Sequence, residues 1–230
     1  MLVTLLQHTP APEQAVALAA RLCYSPVDMQ ELVEQIDNAD TGSYIDKIIS
    51  LGHTSVLEHA VFTFGVEGIS RVTSHQLVRH RMASYAQQSQ RYVSHTKKFA
   101  AVLPPSIAAN KEAKQIFDFT NEMLHQAYKQ LIQIGIPAED ARYLLPNATE
   151  TKIIITMNAR ELLHFFKLRC CERAQWEIRD MAVEMLKLVK QVAPVIFSNA
   201  GPGCVDGTCP EGKFCCGLTD EVRKRFRSIK

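Results

Sequence analysis

No stretch of this sequence is apolar over anything near the roughly 20 residues that span a bilayer. The opening, MLVTLLQHTP, holds no basic segment ahead of a long apolar one. Neither a membrane helix nor a secretory leader is expected, and the expected location is the cytoplasm. Charge of one sign is also missing: 26 Lys and Arg against 24 Asp and Glu leave a net +2. Bulk charge therefore does not demand nucleic acid, and any basic site must be local. Repeats and low-complexity linkers are absent. With 47% hydrophobic and 22% charged residues over 230 positions, the chain is globular rather than disordered and long enough for a sizeable core. Seven cysteines are present, an odd number. Without a leader, a disulfide framework is not expected.

What is there reads first as helix. Residues 12–24 place Ala15, Val16, Leu18, Ala19 and Leu22 at helical spacing. Asp28 is a candidate cap for a second helix, and Ser43 for a third that ends at Gly52. Residues 59–66 alternate as a strand, and 69–78 return to helix. Residues 85–93 are expected to be extended, which would set Tyr85, Gln87, Ser89 and Arg91 on one face. Four hydrogen-bonding side chains in a row make a poor core face and a good ligand wall, or else a solvent-facing edge. A long helix starts at Pro104 and Pro105, carries the stripe Ile116, Phe119, Met123, Ala127, Leu131 and Ile134, and stops at Gly135. Pro137 opens a short helix. The β-branched run 149–157 predicts a buried strand, followed by Asn158 and Glu161 in capping-box spacing. Residues 173–192 read as a core helix. The expected division is a catalytic domain over 1–200 and a Cys- and Gly-rich tail over 201–230.

Residues 79–91, RHRMASYAQQSQR, offer almost nothing to a core. Arginines this close repel one another unless an anion neutralises them. Guanidinium forks match phosphate, so a phosphorylated ligand is the first expectation. The cluster Arg79-His80-Arg81, followed after seven residues by Ser89, resembles the signature of the flavin-dependent thymidylate synthases. The segments Gly52-His53-Thr54-Ser55-Val56-Leu57-Glu58-His59, Asn158-Ala159-Arg160-Glu161-Leu162 and Ala174-Gln175-Trp176-Glu177-Ile178-Arg179 are similar to the upstream and downstream segments of that family. Four segments in the family's order are far more specific than one basic triplet.

The resemblance implies an α/β fold of the α+β type, with helices around a twisted, mainly antiparallel sheet. It implies methylation of dUMP to dTMP with methylenetetrahydrofolate as co-substrate, FAD as cofactor and NADPH as electron donor. A homotetramer with shared active sites follows from it too. No membrane, nucleic acid or covalent enzyme nucleophile is expected. Carried over by position, the residues for dUMP are Gln76, Leu77, Val78, Arg79, Gln87, Gln88, Ser89, Gln90, Arg91, Arg142 and Arg169. Those for FAD are Ser55, Arg79, His80, Arg81, Gln87, Asn158, Ala159, Arg160 and His164. His53 is a folate or flavin contact. Arg169 matches the catalytic arginine: a cation beside the uracil edge stabilises charge as the N3 proton leaves and C5 becomes nucleophilic. Ser89 has no paired base, so hydrogen bonding to the nucleotide is its expected role.

The sequence departs from the family pattern at Ala86 and Gln87, where Asn-Glu is common, and at His164, where Asn is common. A metal is not expected, although Cys204, Cys209, Cys215 and Cys216 are the residues that could hold zinc. Their spacing lacks a Cys-x-x-Cys pair. The closing Arg223-Lys224-Arg225-Phe226-Arg227 reads as a solvated helix end. An alternative function is a nucleotide- or RNA-binding regulator that uses the segment Arg79 to Arg91 without catalysis. Against it stands the lack of aromatics interleaved for base stacking.

Overall fold

A computed structural model of the chain describes residues 1–37, 39–94 and 100–229. Strand β1 (Leu2–His8) opens it, followed by helices α1 (Pro12–Leu22), α2 (Met29–Asp37) and α3 (Thr41–Ser50). A 3₁₀ segment (Thr54–His59) leads into β2 (Val61–Ser70), α4 (Arg71–Leu77) and β3 (Ala83–Gln87). Then come α5 (Pro105–Ala108), α6 (Lys111–Gln133), α7 (Ala138–Ala141), β4 (Glu150–Asn158), α8 (Ala159–Arg169), α9 (Trp176–Val192) and α10 (Thr219–Arg227). The strands form one four-stranded sheet in the order β1-β2-β4-β3. Helices and an antiparallel sheet together bear out the expected α/β class.

Local chemistry sets most boundaries. Asp28 caps α2 as expected, its Oδ1 accepting from Glu31 N–H at 2.9 Å. The cap of α3 is Asp40 instead of Ser43: Asp40 Oδ1 accepts from Gly42 N–H, and the Ser43 hydroxyl donates to the same carboxylate. Gly52, at φ 77°, ends the turn after α3 in the left-handed region that favours glycine. The strand expected over 59–66 begins at Val61 and runs on to Ser70, whose Oγ caps α4 through Thr73 N–H at 3.2 Å. Strand β1 lacks a clean alternation, with Leu2 and Leu6 both exposed, so its sequence did not announce it. The long helix expected from Pro104 breaks at Asn110, which caps α6 through Ala113 N–H.

One expectation fails at the heart of the motif. Residues 85–93 are not one extended run. Strand β3 ends at Gln87 and the chain turns, with Val93 N–H reaching Ser89 O at 3.1 Å. Ser89 Oγ accepts from Arg91 N–H at 3.1 Å, a local side-chain-to-backbone bond that competes with the sheet ladder. Ser89 and Arg91 therefore do not continue the face of Tyr85 and Gln87.

Contacts divide the described residues into two compact units. The first comprises Met1–Leu2, Val66–Arg79 and Tyr85–Ile154, and so carries α4 to α7. Its buried residues include Leu77, Tyr128 and Ile153. The α6 stripe does not join them: Ile116, Phe119 and Met123 are 62, 68 and 58% exposed. An amphipathic helix ordinarily turns such a stripe inward.

The second unit comprises Val3–Gly65, His80–Ser84 and the chain from Ile155 onward. Its core is an edge-to-face chain of rings, Phe165 to Phe166 at 5.8 Å, Phe166 to Phe197 at 6.0 Å and Phe197 to Phe62 at 5.5 Å. Helix α9 buries Ile178, Met181, Ala182, Met185, Leu186 and Val189, a broad core stripe. The segment after residue 200 packs on this core. Val205, Val222 and Phe226 are buried, and a Cβ on Gly201 would stand 2.9 Å from the Phe226 ring. The Lys190 ammonium is buried and donates to the carbonyls of Ser198, Phe226 and Ile229 at 3.2, 3.3 and 3.2 Å.

Candidate active site

In the second unit the site is built on α8. Asn158 leaves β4 and caps the helix, its Oδ1 accepting from Glu161 N–H at 2.9 Å. The Glu161 side chain does not return to the cap. It goes to His80, with Oε1 3.1 Å from Nδ1. At the last turn of α8, Arg169 Nε donates to the other imidazole nitrogen, Nε2, at 3.0 Å. A guanidinium only donates, so His80 Nε2 must accept, which places the ring proton on Nδ1 facing Glu161. Burial pulls the His80 pKa below its ordinary value, against the hydrogen bond that His80 donates to Glu161 and with the help of the Arg169 charge. His80 thus stands as a neutral imidazole bridging an acid and an arginine, walled by Phe165 and His164 at ring separations of 5.0 and 5.9 Å.

The same unit gathers a second set. Arg160 projects from the first turn of α8 and pairs with Glu58 at 2.6 Å, both more than two-fifths exposed. A cavity of about 360 Å³ is lined by Arg160 together with His53, Thr54, Ser55, Gly52 and Tyr24. Three expected ligand residues, His53, Ser55 and Arg160, therefore share one concavity. The Tyr24 hydroxyl lies 3.4 Å from His53 Nδ1. Ala159 is fully buried and its N–H donates to Ala60 O, so it offers neither a side chain nor a free N–H to a ligand.

The first unit holds the rest. The Tyr85 hydroxyl donates to Leu77 O at 2.9 Å and fixes the end of α4. Leu77 itself is core, so its side chain meets no ligand, while Val78 and Arg79 are exposed. Gln87 Nε2 donates to Thr151 Oγ1 at 3.2 Å, and Gln88 N–H to Lys152 O at 2.9 Å. Arg91 is paired with Glu139 at 2.8 Å, and Arg142 Nε donates to the Glu139 carbonyl. Arg71, which sequence reasoning passed over, donates to Gln90 Oε1 at 3.2 Å. Burial, and then the charge of Arg142, lower its pKa. Two guanidinium groups that feel each other favour an anion between them. The only sequence signal for Arg71 was its place right after the cap of α4.

The family described as "Thymidylate synthase complementing protein" matches residues 4–195. The flavin-dependent thymidylate synthase of Geobacter sulfurreducens is 61% identical over 230 residues, covering 100% of this chain and 99% of that protein. That of Clostridium tetani is 48% identical, with 97% and 96% covered. That of Pyrococcus furiosus is 42% identical, with 99% and 97% covered. The chain belongs to the family of flavin-dependent thymidylate synthases. The resemblance stated from four sequence segments thus extends over nearly the whole chain. Within the family frame, the donor set around the 360 Å³ cavity suits a flavin: hydroxyl, imidazole and guanidinium donors beside apolar Ala20, Ile48 and Val56. Among the described residues no helix is long and apolar enough to cross a membrane.

Proposed function

We propose that this chain methylates dUMP to dTMP, taking the one-carbon unit from 5,10-methylenetetrahydrofolate and electrons from NADPH, with tetrahydrofolate released. The observation that carries this reading is the family match over residues 4–195, joined to an arginine held in place by a buried histidine. FAD, when bound, supplies the redox chemistry. His53, Ser55 and Arg160 hold it at their shared cavity, with Asn158, His164 and the exposed Arg79 and Arg81 in support. Gln76, Gln87, Gln88, Ser89 and Gln90 present hydrogen bonds to the nucleotide. Arg142 and Arg91 meet its phosphate, and Arg71 joins them. Arg169 polarises the uracil ring. His80 acts through Arg169: its bond to Arg169 Nε sets the direction of the guanidinium, and Glu161 sets the tautomer that makes this bond possible.

The catalytic domain spans 1–200, and the enzyme works in the cytoplasm, where its nucleotide and folate substrates are. It is a homotetramer with shared active sites. The exposed α6 stripe of Ile116, Phe119 and Met123 supports assembly, because large apolar side chains at helical spacing rarely stay in water. A regulator that binds nucleotide without chemistry is the second reading, and no observation favours it.

The test is direct. Purified protein should carry or tightly bind FAD, and should release tritium from C5-labelled dUMP when NADPH and the folate are present. Arg169→Lys should retain FAD and lose about 100-fold in turnover, the scale of one positioned donor. A colourless protein indifferent to FAD, or unchanged turnover in the variant, would overturn the reading.

A further inference from the structure

The cavity that holds His53, Ser55 and Arg160 has a larger neighbour. In the same unit, a concavity of about 590 Å³ lies against α1 and α3. Tyr24, Ile48 and His53 line both, so the two adjoin. The assignments above leave the larger one without a ligand. Arg21, in the last turn of α1, and Lys47, in the last turn of α3, both line it. Among the described residues its wall carries no Asp or Glu, and neither cation is paired with a carboxylate. A helix C-terminus favours a cation, which accounts for each side chain singly. It does not account for two at one concavity with no acid, a field that an anion relieves. The wall is also aromatic. The Arg21 guanidinium lies over the Tyr44 ring, 5.6 Å from its centroid. Stacked in this way, a guanidinium keeps its N–H edge for a ligand. Tyr44 and Lys47, three apart on α3, share a helix face. The whole suits a ligand that joins a flat heterocycle to a multiply charged anion.

We infer that this cavity binds the adenosine 2′-phosphate end of NADPH, with Arg21 and Lys47 on the phosphate and the tyrosine rings beside the purine. The inference rests on the reading of NADPH as electron donor. In that reading dUMP meets the arginines of the first unit, and the flavin takes the smaller cavity. NADPH carries a purine with a phosphate close to dianionic at neutral pH on its own ribose. It must reach the flavin and leave again in each cycle, which an open site bordering the flavin cavity at His53 allows. The folate tail offers carboxylates of single charge on a flexible chain, a poorer match to a guanidinium and an ammonium at one wall. Arg21 and Lys47 are then the residues that tell NADPH from NADH.

Two fragments that differ only in the 2′-phosphate, 2′,5′-ADP and 5′-AMP, supply the test. Each is titrated by calorimetry into the full-length protein saturated with FAD. The parent should bind 2′,5′-ADP about ten-fold more tightly, the scale of one charged hydrogen bond. Arg21→Gln and Lys47→Gln should each remove most of that preference. Both side chains are exposed, so neither change disturbs the core. Lys187→Gln, which deletes an exposed charge on α9, should keep the preference. In anaerobic flavin reduction, the ratio of NADPH to NADH efficiency should fall about ten-fold in the Arg21 and Lys47 variants. Fragment binding needs no turnover, so a protein that shows the preference but methylates no dUMP would refute the reaction and keep the site. Equal affinity for the two fragments would overturn the inference. So would a preference that survives both substitutions, or a raised KM for the folate with an unchanged NADPH-to-NADH ratio.

Discussion

His80 shows how much one side chain decides. Both of its nitrogens are committed, one to Glu161 and one to Arg169, and it is 5% exposed. Its pKa is lowered in the folded state, so the unfolded chain takes up a proton first as pH falls. Stability is whole above the unfolded value of about 6.5, falls as pH drops through it, and levels off below the depressed folded value. Urea unfolding between pH 7.5 and 5.5 should show that loss, and His80→Gln should show less of it. An equal slope in both proteins would remove His80 from the account. Ser89 is the contrasting residue. Its hydroxyl already serves the local turn by accepting from Arg91 N–H, so it is not poised as a nucleophile. Ser89→Ala should retain measurable turnover with a raised KM for dUMP. Complete loss with normal dUMP binding would restore the nucleophile.

At the scale of the element, α8 carries most of the argument. Its cap, Asn158, was visible in the sequence as a capping box with Glu161, and half of that box exists. The other half was not legible. Glu161 reaches back to the cap when nothing better is offered, and here an imidazole some 80 residues earlier in the chain offers more. Periodicity sees neighbours on a helix and is blind to such a partner. Asn158→Ala should cost about 1 kcal/mol of stability, as lost caps do. It should also lower turnover, because the same helix aims Arg169. Circular dichroism melts beside steady-state rates would check this, and a stability loss with an unaltered rate would separate the cap from the site. Strand β3 teaches the reverse lesson. Four polar residues at alternate positions looked like one ligand wall, yet the strand ends at Gln87, bonding to β4 goes no further than Gln88 N–H, and Ser89 offers its own backbone a bond instead.

For the whole molecule, the motifs announced the family, and the fold class followed from it. What stayed illegible was what lies outside: an apolar stripe on α6 reads as core in any sequence, and only coordinates show it facing out. If the stripe is an interface, Phe119→Glu should break the assembly. Light scattering should then report a mass well below the tetramer expected for the parent, while an unchanged mass would place the interface elsewhere. A last consequence follows from Lys190. All three of its hydrogens point at carbonyls, two of them in the final stretch of the chain. Acylating reagents that label surface amines will therefore pass it by. It becomes reactive only when the last turns lift away, which makes one ordinary lysine a chemical gauge of how often the end of the chain opens.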